Sequence, residues 1–334
     1  MGRARRLGVI TGALLPISRS FGTSNGGGYW TGFAVIASLG SIVLALLPIL
    51  APVFAISGLG YLWVKGGFHF DTRQVTDLVS RIGAPCLIFT TLATLRSPAA
   101  LAIDVALAAI FMILGAMVIG LVALPLAGLS RRTFLAPMMF PNSGNLGISI
   151  CLFAFAAAGL ELGIVFFTVT ATLHFTLGVL IWSGNANPIA LLRTPFPYAV
   201  AAGLAVLLTG AAVPEWVFAT TSLLGGIAIP LMLFTLGATI ANFQVVWFGR
   251  VVRAVTMKYA IGLGLAFGIT EGLGLEGVAR GVVLIQGVLP TPVFAALFAQ
   301  HYRRSPEEVA SVVVITTIAS LVLVPIMLTY LLLP

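Results

Sequence analysis

From about residue 42 to the C-terminus the chain is a succession of apolar stretches, each roughly twenty residues long, separated by short polar connectors. A membrane-crossing helix needs about 20 apolar residues, so each stretch reads as one span. Ten follow in order, over residues 42–64, 75–95, 99–123, 133–158, 162–182, 198–213, 217–240, 251–269, 277–300 and 309–333. A polar connector over 183–197, carrying Arg193, separates the first five from the last five. The first 32 residues differ: Arg3, Arg5, Arg6 and Arg19 surround a weak apolar patch before Gly26-Gly27-Gly28, and this tail is set apart from the fold.

Span four departs from the apolar pattern at its centre, which reads Phe140-Pro141-Asn142-Ser143-Gly144-Asn145-Leu146-Gly147. Pro141 has no backbone N–H, and its ring collides with the preceding turn. Asn142 and Ser143 are good N-caps, while Gly144 and Gly147 permit close backbone approach. The pattern predicts two half-helices joined by a short unwound segment. Such a break survives in a membrane only inside protein or beside water, and broken helices near the midplane are sites for transported substrates and ions. The alternative is a proline kink packed by small residues. Span nine is interrupted in the same way at Leu289-Pro290-Thr291-Pro292, where Thr291 can cap a second half-helix and Pro292 suits its first turn.

The two halves correspond. Spans two and seven both read I-x-x-P-x-x-x-F, around Pro85 and Pro230, which are 145 residues apart. The breaks at Pro141 and Pro290 are 149 apart. Two matches in the same order at nearly one offset predict a duplicated five-span unit, with a first repeat over 33–185 and a second over 192–334. Because five is odd, the second copy enters the membrane from the opposite side, giving an inverted repeat. The expected fold is therefore an all-α membrane protein of ten transmembrane helices in two inverted five-helix repeats, with broken helices four and nine crossing.

Composition narrows the class. Of the 334 residues, 60% are hydrophobic and 8% charged, and mean hydropathy is +1.13, whereas a soluble domain carries roughly 25% charged residues. The net charge of +8 reflects basic loops, not a nucleic-acid partner. One face receives Lys65, Arg73, Arg81, Arg131, Arg132, Arg193, Arg250, Arg253, Arg303 and Arg304; the other receives Arg96 and Arg280. The rule that cytoplasmic loops are basic then puts both termini outside a cell (inner) membrane. Cys86 and Cys151 lie in apolar stretches and read as core residues, so neither a disulfide nor a metal framework follows, and no cofactor is expected.

Two half-helix N-termini facing one crossing would offer partial positive charge and free N–H groups, a site for a carboxylate or similar anion. The expected substrate site is Pro141, Asn142, Ser143, Gly144 and Asn145 from span four with Pro290, Thr291 and Pro292 from span nine. Lys258, within span eight, has three open readings: it snorkels to the surface, it neutralises half-helix C-termini at the crossing, or it pairs with the substrate; the second is favoured. His174 in span five is either a proton-coupling group or a structural histidine. No Asp or Glu lies deep in spans four or nine. An intramembrane enzyme would need acidic metal motifs or a nucleophile with its base, and the nine acidic residues are scattered. A secondary carrier for a small organic anion leads, ahead of a channel-like anion conductor.

The run Pro141-Asn142-Ser143-Gly144-Asn145-Leu146-Gly147 resembles the fourth-helix motif of the auxin efflux carrier family of bacterial permeases, relatives of the plant PIN proteins. The segment from Gly287 to Tyr302, the I-x-x-P-x-x-x-F runs and Leu236-Gly237-Ala238 resemble the same family, and the likeness extends from about Leu44 to the end. The resemblance implies ten helices in inverted repeats, a crossing of helices four and nine, and transport of organic anions. It also implies a scaffold of helices one, two, six and seven, a moving transport part, and a possible homodimer through the scaffold. Thr291 stands where the plant relatives have an Asn, so plant-like auxin recognition does not carry over.

Overall fold

A backbone surrounded by hydrocarbon must satisfy its own hydrogen bonds, and among the described residues every regular element is a helix. The computed structural model describes Leu47 and residues 51–184, 195–242 and 248–332. The tail over 1–32, the start of the first span with Pro48, and the connector around Arg193 lie outside the described residues. All described residues belong to the compact unit Leu44–Pro334. The helices are α1 (51–65), α2 (Thr72–Ala93), α3 (Ala99–Leu126), α4 (Arg131–Met139), α5 (143–155), α6 (157–183), α7 (Phe196–Thr209), α8 (Glu215–Ala241), α9 (Phe248–Gly272), α10 (Gly277–Gly287), α11 (Val293–His301) and α12 (Pro306–Leu332). By length and composition six helical stretches among the described residues could cross a membrane: α2, α3, the run Arg131–Ser183, α8, α9 and α12.

The run Arg131–Ser183 is not straight. Ala156 has φ 52° and ψ −139°, a conformation that disfavours any side chain. The chain reverses there. A Cβ on Gly163 would sit 3.1 Å from Cβ of Cys151 and 3.9 Å from Cα of Ile148, although fifteen residues of continuous helix span about 22 Å. So α6 folds back along α5, and Gly159 and Gly163 are small because the two backbones touch. The run is broken again between α4 and α5, where Phe140 is extended at φ −95°, ψ 124°.

The helices pack in two groups. In one, the Ala84–Ala93 part of α2 lies against α7 and α8, and α8 also meets the start of α2. Glycines let α1 and α8 approach backbone to backbone: a Cβ at Gly60 would overlap the Phe234 carbonyl, and one at Gly237 the Ser57 carbonyl. In the other group α3 packs on α4, α5, α6 and α9, α9 on α10, and α11 on α12. An ion pair of 2.8 Å between Arg250 and Glu308 ties α9 to α12. The groups meet where α8 touches the first turn of α5, and where α2 and α7 touch the stretch Ile148–Leu173.

The α1–α8 contact yields a direct test. Gly237→Ala adds a methyl where no space exists, and overpacking costs about 1–3 kcal/mol. The apparent melting temperature in detergent should fall by several degrees. Gly226→Ala, at a helical glycine with open space around it, should leave melting unchanged.

Candidate functional site

The two interruptions meet. The backbone N–H of Asn142 donates to the carbonyl of Pro290 at 2.8 Å, joining the α4–α5 break to the α10–α11 break. Each break uses its polar residues to satisfy the backbone that unwinding exposes. Asn142 is the N-cap of α5: its Oδ1 accepts from the Asn145 N–H at 3.3 Å. Its carbonyl accepts from Leu146 and Gly147 at 3.3 and 3.0 Å, closing a wide first turn. Ser149 donates back to the Asn145 carbonyl at 3.1 Å. The two glycines of the motif are required by contact, since a Cβ at Gly144 would lie 2.9 Å from the Phe167 ring, and one at Gly147 2.8 Å from Leu289 and 2.9 Å from the Gln286 amide.

The C-terminal end of α4 leaves carbonyls with no helical donor. Lys258, 5% exposed, brings its ammonium to three of them: Phe140 at 3.1 Å, Pro137 at 3.4 Å and Met138 at 3.5 Å. Thr291 donates its hydroxyl to the Pro137 carbonyl at 2.8 Å and its N–H to Oγ1 of Thr316 at 3.0 Å. Tyr259 donates to the Thr316 carbonyl at 2.6 Å. Lys258 and Tyr259, adjacent on α9, thus brace both breaks, one through α4 and the other through α12.

Beside the meeting point lies a cavity of about 70 Å³. Its first wall is Phe140 to Asn145, Pro292 to Phe294 and the stretch of α6 around His174; its second is Thr76, Val79, Ser80 and Ala84 of α2, Phe196 of α7, and Met232 and Thr235 of α8. The cavity therefore lies between the two helix groups. On the water-probe measure, each water needs about 10–15 Å³, so the space suits a ligand of a few heavy atoms. No Asp, Glu, Lys or Arg is among the described residues that line it. Its polarity comes from backbone and neutral side chains. The first N–H groups of α5 and α11 have no acceptor inside their own helices, and both helix starts face the cavity.

The structure brings Pro141, Asn142, Ser143, Gly144, Asn145 and Pro292 together around the cavity, and His174 with them. His174 is stacked on Phe140, with centroids 4.3 Å apart, and meets the edge of Phe298. Pro290 and Thr291 are not part of the lining; they lie behind it, in the contacts between the breaks. Lys258 also lies outside the lining, at the α4 terminus. Sequence reasoning missed the second wall. Thr76, Ser80 and Thr235 were the available signals, as hydroxyl residues in otherwise apolar stretches, but they resemble any threonine or serine that satisfies itself on its own helix.

Long apolar helices around a partly unwound crossing, with a small cavity beside it, define a multi-pass membrane protein of the transporter class. The family model described as membrane transport protein matches residues 45–192 and 184–328, and the chain belongs to that family, the auxin-efflux-carrier type of permease. Two relatives are archaeal. A protein of Methanothermobacter thermautotrophicus described as an uncharacterized transporter is 27% identical over 303 residues, covering 86% of this chain and 95% of that one. Another uncharacterized transporter, from Methanocaldococcus jannaschii, is 23% identical over 201 residues, 56% of this chain and 64% of the relative. The match thus spans just under two thirds of the Methanocaldococcus protein.

Proposed function

We propose that the protein is a secondary carrier that moves a small organic anion, a carboxylate, across the cytoplasmic membrane by alternating access. One observation carries this reading: a small cavity between two helix groups, edged by the starts of two broken helices and lined by no described carboxylate. A helix start attracts negative charge through its dipole and through N–H groups that have no acceptor inside the helix. The neutral amides of Asn142 and Asn145 add donors without adding repulsion. In this reading the substrate is held by Pro141 to Asn145 and by Pro292. Pro290 and Thr291 keep the second break in place, Lys258 compensates the α4 C-terminus, and His174 buttresses Phe140.

Ten spans in two inverted repeats fit this reading. The turn at Ala156 divides the run Arg131–Ser183 into two passes, α1 belongs to the first span, α7 supplies a shorter apolar helix, and α10 with α11 forms a second broken pass. The group of α1, α2, α7 and α8 serves as scaffold, and the remaining helices rock against it. The cavity borders the middle of α6 and the first half of α2, the half that leads to the basic loop of Lys65 and Arg73. It therefore faces the cytoplasm if both termini are outside.

The test is thermal stabilisation of the purified chain by a panel of small carboxylates, repeated on Asn145→Ala. A ligand at 100 times its Kd adds about 2.7 kcal/mol to the native state, which is readily seen as a higher melting temperature. Stabilisation by carboxylates that is lost in Asn145→Ala is the expected result, matched by loss of uptake into proteoliposomes. Stabilisation retained by the variant would move the site away from the crossing.

A further inference from the structure

Two residues that line the cavity, one from each helix group, carry a buried polar atom without a hydrogen-bond partner among the described residues: Nδ2 of Asn142 and Oγ1 of Thr235. Both residues are 3% exposed. Asn142 has already used its N–H, its carbonyl and its Oδ1 within the break, so only its amide donor is left. Thr235 is the more telling of the two. A threonine inside a helix can satisfy its hydroxyl on the carbonyl three or four residues back. Thr90, Thr172, Thr176, Thr270 and Thr317 do so here. Thr168, Thr235 and Thr239 do not, and of these three Thr235 lines the cavity. Ser80, on the same wall, turns its hydroxyl onto the Thr76 carbonyl at 2.6 Å. Leaving a buried hydroxyl unpaired is costly, and that cost is recovered when a ligand supplies the partner.

We propose that Thr235 is a substrate-contacting, specificity-determining residue. With Asn142 it makes a two-point site spanning both helix groups, for a small anion that also carries a hydroxyl or carbonyl. The carboxylate meets the Asn142 amide at the start of α5, and the second polar group meets the Thr235 hydroxyl on α8. This rests on the anion-carrier reading and gives it a coupling logic. A ligand shifts a conformational equilibrium only by binding the states differently. A substrate that touches both walls can do so, whereas one held by the first wall alone would follow that wall unchanged. The cavity, about 70 Å³, leaves room for only a short bridge between the two points.

The experiment uses the full purified chain in detergent, with melting temperature titrated against carboxylate pairs that differ by one hydroxyl: propionate and lactate, succinate and malate, butyrate and 4-hydroxybutyrate. Parallel titrations use the neutral hydroxylated compounds glycerol and lactamide. In the native chain the hydroxylated acid of at least one pair should bind roughly 3- to 10-fold more tightly, the size of one net hydrogen bond. Thr235→Val should bring that ratio close to one, and Thr235→Ser should restore it, which separates lost contact from lost fold. A ratio unchanged in Thr235→Val overturns the assignment. Carboxylates that bind without any hydroxyl preference also overturn it, while leaving the anion carrier standing. Binding of the neutral compounds alone, lost in Thr235→Val and kept in Thr235→Ser, would uphold the contact at Thr235 and overturn the carboxylate. Stabilisation by no compound would overturn both.

Discussion

Asn142→Asp is expected to abolish anion transport in a protein that still folds. The carboxylate oxygen can take over the cap that Oδ1 now makes to the Asn145 N–H, because Asp and Asn are equally good N-caps. The cap is therefore kept, and the desolvation cost of the new buried charge is offset in part by the helix start on which it sits. What changes is the other half of the side chain. Nδ2, a donor without a partner, becomes an acceptor with negative charge, placed where the substrate anion would sit. Two like charges about 4 Å apart at an effective dielectric near 20 repel by about 4 kcal/mol, close to a thousandfold in binding. Asn142→Ser separates the two effects: it keeps a capping oxygen and removes the amide donor without adding charge. Uptake should therefore rank native, then Ser, then Asp, at equal amounts of monodisperse protein. Full activity in Asn142→Asp would exclude an anion at this point, and tighter binding of a cationic compound by that variant would invert the sign of the site.

The break itself was legible in the sequence because its residues are extreme. Proline, two asparagines, a serine and two glycines do not occur together in an apolar stretch without a backbone reason, and Asn142 caps α5 as its type implies. The turn at Ala156 was less visible. Gly159, Leu160 and Glu161 mark the gap between spans four and five, but the reversal comes three residues before that gap, on an alanine with positive φ where a glycine would be the usual signal. Thr291 illustrates a different loss. As a residue type it is a good cap, but its hydroxyl reaches across to Pro137, 154 positions away. No local pattern encodes such a partner. The second wall of the cavity is hidden for the same reason, since nothing local tells Thr235, which lines it, from the other helical threonines. Local propensity sets where the helices break, and the tertiary packing decides which of the exposed groups remain for a ligand.

Lys258→Met should cost both stability and transport. The ammonium donates to the carbonyls of Pro137, Met138 and Phe140, and methionine fills similar space with no donor. The carbonyl of Pro137 keeps the Thr291 hydroxyl. Those of Met138 and Phe140 lose their only side-chain donor, and a buried polar group left unpaired costs about 1–3 kcal/mol. Part of this is offset, because the native chain bears the desolvation cost of a buried cation. A net loss of about 2–4 kcal/mol is expected, read as a clear drop in melting temperature. Transport should fall further than stability alone explains, because Phe140 and the start of α5 form the wall that receives the substrate. Thr291→Val supplies the second arm of a cycle. Lys258 and Thr291 share the Pro137 carbonyl, so the double variant should depart from additivity, as groups with a common partner do. A lysine that merely reached for the membrane surface would behave otherwise: its replacement by methionine would leave melting, ligand stabilisation and the effect of Thr291→Val all unchanged.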